Sequence, residues 1–96
     1  HVKELIEQAR KLFDNQEIKE AYAKAAQSIR TYYIYNLNLN REITNSDLIK
    51  VLEEKHLASK DIKDCLQNCD MVEFAKGKGT RKEFDKLLGL IKKLVD

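Results

Sequence analysis

Apolar residues recur along this chain every three or four positions, and each such stretch closes on a cluster of polar stop or cap residues. From Val2 to Phe13 the stripe is Val2, Leu5, Ile6, Ala9, Leu12 and Phe13, with Lys3, Glu4, Glu7, Gln8, Arg10 and Lys11 opposite. That spacing is the signature of an amphipathic helix. Asp14 and Asn15 break the pattern, and either can cap a new helix. A second helix is predicted from about Gln16 to Asn36, burying Ile18, Ala21, Tyr22, Ala25, Ala26, Ile29, Tyr32 and Tyr33. Its small residues Ala21, Ala25 and Ala26 permit a neighbour to come close. At 1.5 Å per residue it spans on the order of 30 Å, which makes it the spine of a bundle.

Residues 36–42 alternate polar and apolar, which could be a short strand. Asparagine is a poor strand former and a good helix stop, so a helix end and a loop are expected. Thr44, Asn45 and Ser46 are capping types, and residues 47–54 form a short helix with Leu48, Val51 and Leu52 inward. Ser59 caps the next helix, with Asp61 favourably placed in its positive first turn. That helix buries Ile62, Cys65, Leu66 and Cys69 and continues through Val72 to about Phe74 or Ala75. Lys76-Gly77-Lys78-Gly79 is the plainest break in the chain. Thr80-Arg81-Lys82-Glu83 fits a capping box. The last helix comes next, with Phe84, Leu87, Leu88, Ile91, Leu94 and Val95 on one face. Gly89 inside it costs about 1 kcal/mol relative to alanine and is expected to mark a close helix crossing. The fold class is therefore all-α, a compact bundle of about five helices in a single domain over 1–96.

Composition agrees. Of 96 residues 43% are hydrophobic, too many for a disordered tail, and the absence of proline favours long helices over a turn-rich β fold. No run approaches the ~18–20 apolar residues of a membrane helix, and no signal-peptide pattern occurs within these residues. The first residue is His1, inside a helical pattern, which leads to the expectation of a piece of a longer protein. Cys65 and Cys69 stand one helical turn apart, a spacing that does not give ordinary disulfide geometry, so two free thiols in a reducing compartment are expected.

Charge is uneven. Residues 1–75 carry 11 basic and 13 acidic side chains, whereas residues 76–96 carry 7 and 3, so the C-terminal part is net +4. A basic end can be a solvated flank, or it can meet phosphates or an anionic membrane surface.

Catalytic and metal patterns do not survive inspection. Structural zinc needs four good ligands, and Cys65, Cys69 and His56 supply one pair and one distant imidazole. A cysteine nucleophile needs a base and an orienting group, and His56 is more simply read as ending a helix. Residues 76–80 are not a phosphate-binding loop, because the lysine–serine/threonine signature and a preceding strand are missing. A helix-turn-helix over 45–75 would place Asp64, Asp70 and Glu73 on the recognition helix, against DNA contact. Tyr32, Tyr33 and Tyr35 near Arg30 and Arg41 could stack on single-stranded nucleic acid. The simpler expectation is that Tyr22, Tyr32 or Tyr33 packs inside with its hydroxyl at the rim.

One resemblance narrows the context. Ala21-Tyr22 and Ile29-Arg30-Thr31-Tyr32-Tyr33 lie on the long helix. Thr44-x-x-Asp47-Leu48-x-x-x-Leu52-Glu53-Glu54 is next, then Cys69-Asp70-x-x-x-Phe74-Ala75, and a closing helix with Leu87-Leu88 and Ile91. In this order they resemble the helical C-terminal cytoplasmic tail of BatD-type oxygen-tolerance proteins and related prokaryotic membrane proteins. The resemblance implies a soluble appendage of a membrane-anchored parent and brings no catalytic residues.

The expected function is thus a non-enzymatic protein-interaction domain, with no cofactor, metal or small-molecule substrate. The candidate partner-binding residues are Lys76, Lys78, Arg81, Lys82 and Lys86, with Tyr35. The expected contact is an unidentified protein, with an anionic membrane surface as a second candidate. A nucleic-acid-binding domain is the alternative, disfavoured by a net charge of only +2.

Overall fold

Each amphipathic segment of the sequence becomes one helix. In a computed structural model, described for residues 2–75 and 78–95, these are α1 (Val2–Asp14), α2 (Ile18–Asn36), α3 (Asn45–Glu54), α4 (Lys60–Phe74) and α5 (Arg81–Val95). The protein is an all-α bundle with no strand among the described residues; residues 36–42 end a helix and form a loop.

Three helix starts carry the caps that the sequence suggests, whereas α2 starts at Ile18 after Glu17 with no side-chain cap, so neither Asp14 nor Asn15 caps it. Thr44 and Asp47 form a reciprocal capping box: the Thr44 hydroxyl accepts from Asp47 N–H at 3.1 Å, and the Asp47 carboxylate accepts from Thr44 N–H at 3.4 Å. α3 therefore begins at Asn45, two residues earlier than its apolar pattern suggests. The Ser59 hydroxyl accepts from Ile62 N–H, and that of Thr80 accepts from Glu83 N–H.

The ends of the first three helices share one device. Gln16, Asn38 and His56 all adopt positive φ, just past the ends of α1, α2 and α3. The next residue's N–H then reaches back five positions: Glu17 to Leu12, Leu39 to Ile34 and Leu57 to Leu52, at 2.9, 3.0 and 2.8 Å. These are Schellman motifs, which satisfy the terminal carbonyls, here built without glycine. Gln16 thus closes α1 rather than opening α2, and His56 terminates α3.

α2 is the spine. It packs most extensively on α1, next on α4 and then on α5. Ala9 on α1 and Ala21, Ala25 and Ala26 on α2 are wholly buried, so small side chains let the helices approach. Phe13 and Phe84 stack with ring centroids 4.4 Å apart, joining the end of α1 to the start of α5. At the opposite end Lys3 and Ile6 line one hollow with Lys92 and Val95. α1 and α5 are therefore antiparallel. The radius of gyration, 12.5 Å, matches the ~12.5 Å of a compact chain of this length.

Two expectations are corrected. A Cβ at Gly89 would meet nothing within 4 Å, so this glycine marks no helix crossing. The Tyr22 hydroxyl is not at a rim: it is buried.

Candidate partner-binding surface

The structure divides the residues that the sequence groups together. Lys78, Arg81, Lys82 and Lys86 are exposed at and just before the start of α5, whereas Lys76 lies outside the described residues; Tyr35 is 83% exposed but sits at the other end. The start of α5 is adjacent to Gly79, which packs on Ile18 and Tyr22 in the first turns of α2. Tyr35 comes thirteen residues after Tyr22, about 20 Å along the axis. It lines a hollow with Val2, Lys3, Tyr32 and Val95 instead. A single basic-plus-tyrosine contact patch is therefore not formed.

The basic residues also differ among themselves. Arg81 is committed within the chain: its guanidinium bonds the Asp14 carboxylate at 2.5 Å and lies over the Phe13 ring at 4.6 Å from the centroid. Such a contact fixes α1 against α5. Lys78, Lys82 and Lys86 take part in no ion pair among the described residues.

A different surface is built by residues far apart in sequence. Arg30 on α2 donates to the Asn45 side-chain oxygen at 2.7 Å. Asn45 in turn donates its side-chain nitrogen to the Asp70 carboxylate on α4 at 2.8 Å. Asn45 is buried at the first position of α3, so one amide ties three helices together. Both halves of the amide are paired with charged groups, the stronger kind of hydrogen bond. Glu73 stands in the same cluster; partial burial pushes its carboxyl up from the ordinary range, and Arg30 opposes the shift.

This network floors a hollow of about 460 Å³ that Thr44, Ser46 and Phe74 also line. The Phe74 ring at its edge is 75% exposed, and Met71, one turn earlier on α4, is 55% exposed. A large apolar pair thus stands in solvent beside a rigid polar floor. By sequence Asn45 is only one of several capping types and Phe74 only a helix end; their meeting needs the tertiary fold.

The thiols lie apart from this hollow. Burial, with Asp61 and Asp64 nearby, pushes the Cys65 thiol up to about 11, and burial pushes Cys69 higher still. Both are neutral thiols near pH 7, poor nucleophiles. His56 lines a separate surface hollow with Glu53, Lys60 and Lys63, while Cys65 lines the groove between α4 and α5. Among the described residues no group of three or more His, Cys, Asp or Glu side chains is arranged to hold a metal ion. No described helix is long and apolar enough to cross a membrane. Comparison with family models, curated proteins and solved structures finds no match to this chain.

Proposed function

We propose that this chain is a non-enzymatic protein-interaction domain that docks a partner protein through the Phe74 face. The exposure of Phe74 beside the Arg30–Asn45–Asp70 network carries the reading. An aromatic anchor set in a polar, preorganised frame has the anatomy of a binding hot spot. The partner segment that fits presents an apolar side chain to Phe74 and Met71 and hydrogen-bond donors to the carboxylates of Asp70 and Glu73.

The wider setting belongs to the same proposal: a cytoplasmic domain of a membrane-anchored prokaryotic protein, after the BatD-type tail that it resembles. The most distinctive part of that resemblance, Cys69-Asp70-x-x-x-Phe74-Ala75, supplies Asp70 and Phe74 to the face, and Arg30 and Thr44 come from its other two parts. The free lysines Lys78, Lys82 and Lys86 form a separate basic strip, open to an acidic partner or an anionic membrane surface.

Matched pull-downs test the reading. The baits are the wild type, Phe74→Ser and the double variant Lys82→Glu with Lys86→Glu, each at low and moderate salt. A specific protein retained at moderate salt by the wild type and the lysine variant, and lost by Phe74→Ser, is the expected result. A protein lost only by the lysine variant would move the site to the basic strip. Nucleic acid eluting steeply with salt would replace the reading with the alternative one.

A further inference from the structure

We propose that the outward face of α5 docks an acidic helix of a partner protein, which crosses at Gly89. The proposal rests on the reading of the chain as an interaction domain, but not on the Phe74 face. Lys82, Lys86, Gly89 and Lys93 are exposed and follow one another at steps of four, three and four residues. Such steps keep all four within about 60° of the helix surface, over about 16 Å of its axis. None of the three lysines takes part in an ion pair among the described residues. The acidic side chains of α5 are turned to other uses: Asp85 stands 3.8 Å from Arg81, and Glu83 lines the groove towards α4. The face is therefore a line of unpaired positive charge, complementary to an acidic partner.

Gly89 is a second observation, independent of the charge. A glycine inside a helix is destabilising relative to alanine. Nothing within 4 Å would meet a Cβ there, so no contact inside the chain requires the side chain to be missing. The space stays open to a helix from outside. Glycine makes a notch here, bare backbone in the middle of a lysine line, with Lys86 one turn before it and Lys93 one turn after. A helix crossing at the notch brings a small or apolar side chain down onto the backbone, and its flanking carboxylates reach the lysines on either side. Leu90, half-buried beside Gly89, adds an apolar edge to the contact. A lipid surface or a nucleic-acid backbone would meet the lysine tips instead and would have no use for the notch.

The probe is a synthetic helix, three repeats of Glu-Ala-Ala-Gln-Leu-Glu-Ala with a hydrocarbon staple on the face opposite its Ala-Leu stripe. It is titrated into the full ¹⁵N-labelled chain at fixed ionic strength. Saturable shifts centred on the amides of 82–93 are expected, and the same peptide with Gln for Glu should bind at least fivefold more weakly. Gly89→Leu keeps every charge and fills the notch. It should weaken binding at least fivefold while folding at least as stably as the wild type, because leucine favours the helix. Lys86→Glu combined with Lys93→Glu should abolish saturation. Phe74→Ser should leave the shifts as they are, which separates this test from that of the Phe74 face. Absence of saturable shifts, equal binding of the Gln peptide, binding unchanged in Gly89→Leu or binding lost in Phe74→Ser would overturn the proposal. Tighter binding of phosphatidylglycerol vesicles or of an oligothymidylate, unchanged in Gly89→Leu, would overturn it as well and assign the face to a membrane or a nucleic acid.

Discussion

Gly79 lies against the ring of Tyr22 so closely that a Cβ there would enter the van der Waals envelope of the ring edge and come within 3.0 Å of Ile18 Cγ2. Its φ is not positive, so the glycine serves close approach rather than an unusual backbone. Tyr22 is fully buried and has no room to turn aside. Gly79→Ala should therefore cost about 1–3 kcal/mol, the range for overpacking a closed site. The urea midpoint reads this directly, and an unchanged midpoint would mean that the segment before α5 does not rest on Tyr22.

Gly89 has the opposite prospect. It is exposed inside α5 with open space where a Cβ would stand. Gly89→Ala should stabilise the fold by about 1 kcal/mol, the difference in helix propensity. A loss of stability in thermal or urea unfolding would show a contact at that position which the structure lacks.

Asn45 joins Arg30 and Asp70, so its removal leaves two charged groups with a partner lost. Asn45→Ala is expected to destabilise by about 1–3 kcal/mol. A double-mutant cycle with Asp70→Ala should return a coupling on the order of 1 kcal/mol, because the two residues share one hydrogen bond. Strict additivity would show that the network contributes nothing to stability.

Burial of the thiols makes stability depend on alkaline pH. The Cys65 thiol titrates at about 11 in the folded chain against an ordinary value of 9.0. Its folded value is the higher one, so the unfolded chain loses this proton first. The associated stability is complete below about pH 9 and falls as pH rises towards 11, by on the order of 3 kcal/mol. Burial raises Tyr22 to about 12, which extends the decline. Urea midpoints should be flat from pH 7 to 8.5 and fall above pH 9, and Cys65→Ala should flatten the first part of the fall. A midpoint independent of pH up to 11 would contradict the burial of Cys65.

The helices are legible in the sequence because their apolar residues keep one period and their starts carry side chains with a single local job, such as Ser59 and Thr44. Helix ends are less so. Gln16 reads as the first residue of a helix by composition, yet it takes the left-handed conformation that closes the previous one. Gly89 suggests a crossing by its type alone, and only the packing shows open space. The candidate face is hidden for a different reason. Asn45 bonds residues 15 and 25 positions away, and no local pattern encodes such a pairing. Phe74 falls at a helix end, where periodicity does not decide whether an aromatic ring turns inward. The basic residues are visible as charge, but charge does not reveal that Asp14 and Phe13 already hold Arg81.

The central claim is that Phe74 and its polar floor form a protein-docking face. The most direct measurement is photo-crosslinking in a prokaryotic cell from a benzophenone amino acid placed at Met71, with the same group at exposed Lys11 on α1 as the control. The account predicts a discrete protein adduct from position 71, absent from position 11, and lost when Phe74→Ser is added to a chain that remains folded. Identical adducts from both positions, or an adduct at 71 that survives Phe74→Ser, would contradict it.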